Sequence, residues 1–183
     1  MSKPLVGAPI GADVDGIVAG TTTNGVNAPA QLGTVVNGTD GTRYVLVQAA
    51  ASLMASTDAP NAVAIDENYQ ASLMTTALAA AGHGLGFAPQ AVIADNSFFW
   101  ARIAGSNFNA RVEASAAADA FLRTSATAGR LGVGSTASAV YFPAVLVVAA
   151  SASTSAGNSV REVLAGQLVA VRMGATGAAA TLP

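Results

Sequence analysis

The sequence predicts an all-β fold: a small β-barrel or sandwich of about ten short strands, with one short helix and an extended N-terminal arm. Three observations carry that expectation. Runs rich in Val, Ile, Tyr, Phe and Trp recur from Arg43 onward. Turn-forming residues punctuate them every 8–12 residues or so, the spacing of strands joined by tight turns. Within residues 67–81, Ala77–Ala81 is the purest helix-forming run, which accounts for the one short helix.

The elements follow in chain order. Residues 1–42 are dominated by Gly, Thr, Asn, Ala and Pro, with turn pairs at Asp15-Gly16, Asn24-Gly25, Asn37-Gly38 and Asp40-Gly41. Short apolar pieces interrupt this segment: Leu5-Val6, Ile17-Val18 and Val35-Val36. It reads as an extended arm with little core of its own, laid across a partner surface or disordered. Residues 43–173 form the β-rich domain, and residues 174–183 read as a tail. Within the domain, Arg43–Ala49 is a strand, and Val63–Ile65 leads into a turn at Asp66–Asn68.

Two arrangements compete for residues 67–81. One is a helix capped by Asp66 that ends at Gly82. The other is a hairpin arm ending near Met74, followed by a short helix over Thr76–Ala81 capped by Thr75 or Thr76. The second is preferred, because Ala77–Ala81 is the purest helix-forming run. Further strands are expected at Gly84–Ala88, Ala91–Ala94, Phe98–Ala104, Ala110–Ala114, Ala120–Thr124 and Arg130–Val133. The last are expected in Val140–Ala150 and, around a bend at Gly166, in Val160–Met173.

Composition narrows the function. Of 183 residues, 52% are hydrophobic, but 43 are Ala, whose small side chains bury little area each. Such a chain gains from burial between subunits. Charged residues are 10% of the chain, against an average near 25%, which suits a protein largely covered by neighbours. The net charge is −2, and the seven Arg and one Lys are scattered, with no basic stripe to follow phosphates. Direct nucleic-acid binding is therefore not expected. The absence of Cys removes disulfides and thiol chemistry.

The opening Met1–Leu5 does not read as a signal peptide. The longest apolar run, Ala139–Ala150, contains Pro143 and is shorter than the roughly 20 residues a helix needs to cross a bilayer. No membrane association is expected.

Candidate chemistry is sparse. His83, the single His, sits in the turn Ala81-Gly82-His83-Gly84. A triad built from it with a Ser and Asp66 or Asp95 has no nucleophile-elbow sequence to support it. Gly11–Gly16 opens like a calcium loop, but Ile17 and Asn24 stand where ligands are needed. The segments Gly82–Gly86 and Gly129–Gly134 match neither dinucleotide nor phosphate loops and read as tight turns. No cofactor and no metal site is expected. Phe98-Phe99-Trp100 has two readings: alternate side chains fill the core with one pointing out, or the outward member packs on another subunit. With the apolar pieces of the arm, this gives a set of candidate interface residues: Leu5, Val6, Ile10, Ile17, Val18, Phe98, Phe99 and Trp100.

Several of these segments together resemble the capsid decoration, or head cement, proteins of tailed phages. The matching pieces are Val63-Ala64-Ile65-Asp66, Gly84-Leu85-Gly86-Phe87-Ala88 and Ala94-Asp95-Asn96 leading into Phe99-Trp100-Ala101-Arg102-Ile103-Ala104-Gly105. Val112 and Phe121–Leu131 follow. The likeness covers somewhat more than a third of the chain. It implies a structural, non-enzymatic virion protein on the capsid exterior, a homotrimer that clamps neighbouring copies of the major capsid protein. The alternatives are another virion component, such as a tail or head-fibre base protein, or a small-ligand-binding β-barrel.

Overall fold

A computed structural model describes residues 5–6, 14, 16–20, 28–39, 41–53, 60–89, 93–113, 121–133, 139–147 and 159–165. They form eleven strands and one helix. The strands before the helix are β1 (Leu5–Val6), β2 (Val35–Gly38), β3 (Arg43–Ala49), β4 (Ala62–Ile65) and β5 (Gln70–Leu73). Helix α1 spans Thr76–Ala80, and β6 (Gly84–Phe87) and β7 (Phe98–Val112) follow it. The remaining strands are β8 (Phe121–Thr124), β9 (Leu131–Gly132), β10 (Tyr141–Val147) and β11 (Ser159–Ala165). The all-β expectation holds.

Five strands close a barrel in the order β3-β5-β4-β6-β7, with β7 returning to β3 over Arg43↔Ala104 to Gln48↔Phe98. All of these pairings are antiparallel except β3–β5, which is parallel. The interior is narrow and filled by alternate residues: Val45 and Val47 from β3, Val63 and Ile65 from β4, Ala71 from β5, and Phe99 and Ala101 from β7. Gly86 supplies the β6 position. A Cβ there would lie 2.8 Å from Ile65 Cδ1 and 3.3 Å from the Ala101 Cβ, so only glycine fits without displacing neighbours. One end of the barrel is plugged by Leu53 and Ile93, which form an isolated bridge, together with Ala88.

Both flanks of the barrel are covered. On one, Ala62, Ala64, Leu85 and Phe87 pack with α1 and a second sheet through Met74, Ala79, Ala110, Val112, Leu122 and Phe142. That second sheet pairs β7-β11-β10-β8-β9 and returns to β7 at Val112↔Leu131. Two polar contacts fix the joint. Thr76 donates its hydroxyl to Thr124 Oγ1, which also accepts from Val140 N at 3.0 Å. Arg111 Nη1 donates to Asn61 Oδ1 at 3.1 Å.

On the other flank, Tyr44, Leu46, Phe98 and Trp100 are covered by Val14, Val36 and the half-buried Val18, Ala28, Ala30 and Leu32. The described parts of the N-terminal segment therefore lie on the barrel of their own chain. Val36 pairs with Tyr44 in the sheet, and Val18 bridges Phe98 through backbone hydrogen bonds of 2.8 and 2.9 Å.

The hairpin-plus-helix arrangement is the one adopted. Thr75 is the N-cap, its hydroxyl accepting from Leu78 N at 3.3 Å. Two strand expectations change. Phe98–Ala104 and Ala110–Ala114 are not separate strands; β7 runs unbroken from Phe98 to Val112, bending at Gly105, whose φ of 138° suits only glycine. Around Ala91–Ala94 the described residues give only the Ile93 bridge. The Gly166 bend and the tail at 174–183 lie outside the described residues.

Candidate interaction surface

The sequence-derived interface residues divide on their placement. Leu5 and Val6 form β1, paired with Gly38 and Asn37 at the sheet edge. Ile10 lies outside the described residues. Ile17 is half-buried against the barrel interior cluster, and Val18 packs in the Trp100 cluster. Phe98, Phe99 and Trp100 are 5%, 0% and 3% exposed, so none of the three presents an aromatic face to a second subunit. The expectation of one outward member is corrected for a simple reason. The strand alternates as expected, but both faces of the barrel wall at β7 are covered, the outer one by the chain's own N-terminal residues.

The other motifs fall where turns are required. Asp66 Oδ1 accepts from Asn68 N at 2.9 Å and Gln70 N at 2.7 Å, which ties the β4–β5 turn. His83 closes the end of α1, its backbone N–H donating to Leu78 O. Asp95 is exposed in the turn before β7. Of the Gly11–Gly16 loop only Val14 and Gly16 are described, and Val14 is buried in the Trp100 cluster. Among the described residues no group of three or more His, Asp or Glu side chains could hold a metal ion. No described helix is long and apolar enough to cross a membrane.

The geometry that sequence reasoning missed is at the unplugged end of the barrel. There a cavity of about 380 Å³ opens where strands diverge. β6 and β7 pair only at Phe87↔Arg102, so Gly84 and Leu85 separate from Ile103 and Ala104. Val45 and Ile65 line the cavity within, and Val35 and Tyr69 stand at its rim with 45% and 40% exposure. Arg43 and Asp66 complete the lining.

Tyr69 has φ 59°, the left-handed region that a bulky side chain rarely occupies. It is held there by its N–H to Asp66 O at 3.1 Å and by its carbonyl accepting from Gln48 N at 3.0 Å. No sequence signal marks this site, because its residues come from five separated segments of the chain. The chain matches no family model, no curated protein and no solved structure.

Proposed function

We propose that this chain is a structural virion protein that binds the outer surface of a tailed-phage capsid and stabilises the shell by bridging major capsid proteins. The observation that carries the reading is the resemblance to decoration proteins across Val63–Asp66, Gly84–Ala88, Ala94–Asn96 leading into Phe99–Gly105, Val112 and Phe121–Leu131. Those segments contain three of the five barrel strands, β4, β6 and β7, together with the turn at Asn96, and are followed by β8 and β9 of the second sheet. The low charge and Ala-rich composition support a chain that works covered by neighbours.

The mechanism is linkage. A protein that binds only the assembled, expanded shell stabilises it by mass action, and many copies of modest affinity add. The test is thermal melting of expanded capsids that lack the protein. Purified protein is expected to raise the capsid melting temperature in a saturable manner, and no shift at saturation would overturn the reading. Copy number per particle separates this function from a tail or head-fibre base protein: a decoration protein follows capsomer geometry.

A further inference from the structure

The geometry points to the open mouth of the barrel as the surface that grips the shell, its occupant an apolar side chain flanked by a carboxylate on a segment of the capsid subunit. This rests on the decoration reading above. The mouth is deep enough for a side chain: about 380 Å³, walled by Val45, Ile65 and Ile103. Of the three large hydrophobic residues exposed among the described residues, Val35 and Tyr69 stand at this one rim, while Phe121 is the third.

Tyr69 is held in a left-handed backbone conformation that Asn or Gly would adopt at less cost. Its ring packs on Gly33 of the same chain and still leaves the residue 40% exposed at the rim, a position suited to a partner contact, since Tyr is enriched where partners meet.

Charge decides what accompanies the apolar group. Asp66 Oδ1 already accepts from two N–H donors of its own turn, Asn68 and Gln70, so that oxygen is engaged within the chain. Arg43 is exposed, and its guanidinium makes no hydrogen bond or ion pair with any described residue. Of the two charged groups in the lining, Arg43 is the one with no hydrogen-bond partner among the described residues, a cation of fixed fork geometry suited to a carboxylate. An Asp or Glu beside an apolar residue, presented by the shell protein, satisfies both features at once.

The test compares binding of wild type, Arg43→Glu, Val35→Asp and Phe121→Ser to expanded capsids. Isolated-protein melting is measured in parallel, to set aside any variant that fails to fold. Arg43 and Val35 are exposed, so both variants are expected to melt like wild type. Arg43→Glu and Val35→Asp are each expected to weaken capsid binding about tenfold or more, as loss of a central interface anchor does. Phe121→Ser, away from the mouth, is expected to bind as wild type does. The salt dependence of wild-type binding is expected to be lost in Arg43→Glu.

Capsid binding by Arg43→Glu and Val35→Asp at wild-type strength overturns the inference while leaving the proposed function standing. Wild type failing to bind capsids at all overturns both. A small molecule that raises the melting temperature of the isolated protein, but not of Val35→Asp, with capsid binding untouched by either mouth variant, would make the mouth a small-ligand site instead.

Discussion

The ring of Tyr69 rests directly on Gly33, so closely that a Cβ on Gly33 would overlap ring carbons Cδ2, Cε2 and Cζ. Each residue has a left-handed backbone, with φ of 59° and 80°. The contact closes a seam that the backbone leaves open. Along β3, the β2 hairpin takes the first residues and β5 the last, and Tyr69 over Gly33 spans the change of partner.

Gly33→Ala is expected to destabilise the protein by about 1–3 kcal/mol, through overlap with the ring and an unfavourable φ. In a Tyr69→Asn background the same substitution is expected to cost less, because only the backbone penalty remains. A double-mutant cycle by denaturant unfolding checks this, with a coupling of at least about 0.5 kcal/mol expected.

Phe99 is fully buried inside the barrel, and Phe121 is 50% exposed on β8. Phe99→Ala is expected to cost about 3–5 kcal/mol and Phe121→Ala within about 0.5 kcal/mol of zero. Chemical denaturation of the two variants tests the assignment of inside and outside along β7 and β8.

Gly86→Val places a branched side chain against Ile65, Ala101 and Val63 in a filled barrel. The expected loss is about 1–3 kcal/mol or more from overpacking. Thermal unfolding reads it, and an Ile65→Ala partner is expected to restore part of the loss by vacating the space that the new side chain needs.

Trp100, the single tryptophan, is 3% exposed beneath Val14, Val18 and Val36. Removing residues 1–27 strips Val14 and Val18 from its cover. The emission maximum of the folded protein is expected to shift to longer wavelength, with a lower melting temperature. Unchanged emission would mean that those residues do not shield the indole.

Much of this fold was legible where the information is local. Arg43–Ala49, Val63–Ile65 and Phe98–Ala104 are runs enriched in β-branched and aromatic residues, the side chains that fit a pleated, half-buried surface. Thr75 and the Ala run after it announce α1. What escaped is non-local. Gly105-Ser106-Asn107-Phe108-Asn109 has little strand character, yet it continues β7 because β11 pairs with it from Val163↔Phe108 to Ala165↔Gly105. The outward side of Trp100 was readable as an alternation, but not that Val14 and Val18, more than eighty residues earlier, cover it. The barrel mouth was invisible for the same reason. Arg43, Asp66 and Tyr69 each read as an ordinary strand or turn residue, and only closure of the barrel brings them to one rim.

Because β7 belongs to two pairing circuits, its first half closing the barrel and its second half the neighbouring sheet, the two cannot come apart independently. Its paired amides are expected to exchange with solvent mainly through global opening, so that hydrogen exchange along Phe98–Val112 would report the stability of the whole molecule. A load applied to the barrel at β7 would be carried along that strand into the far sheet, so the two pairing circuits share one mechanical spine.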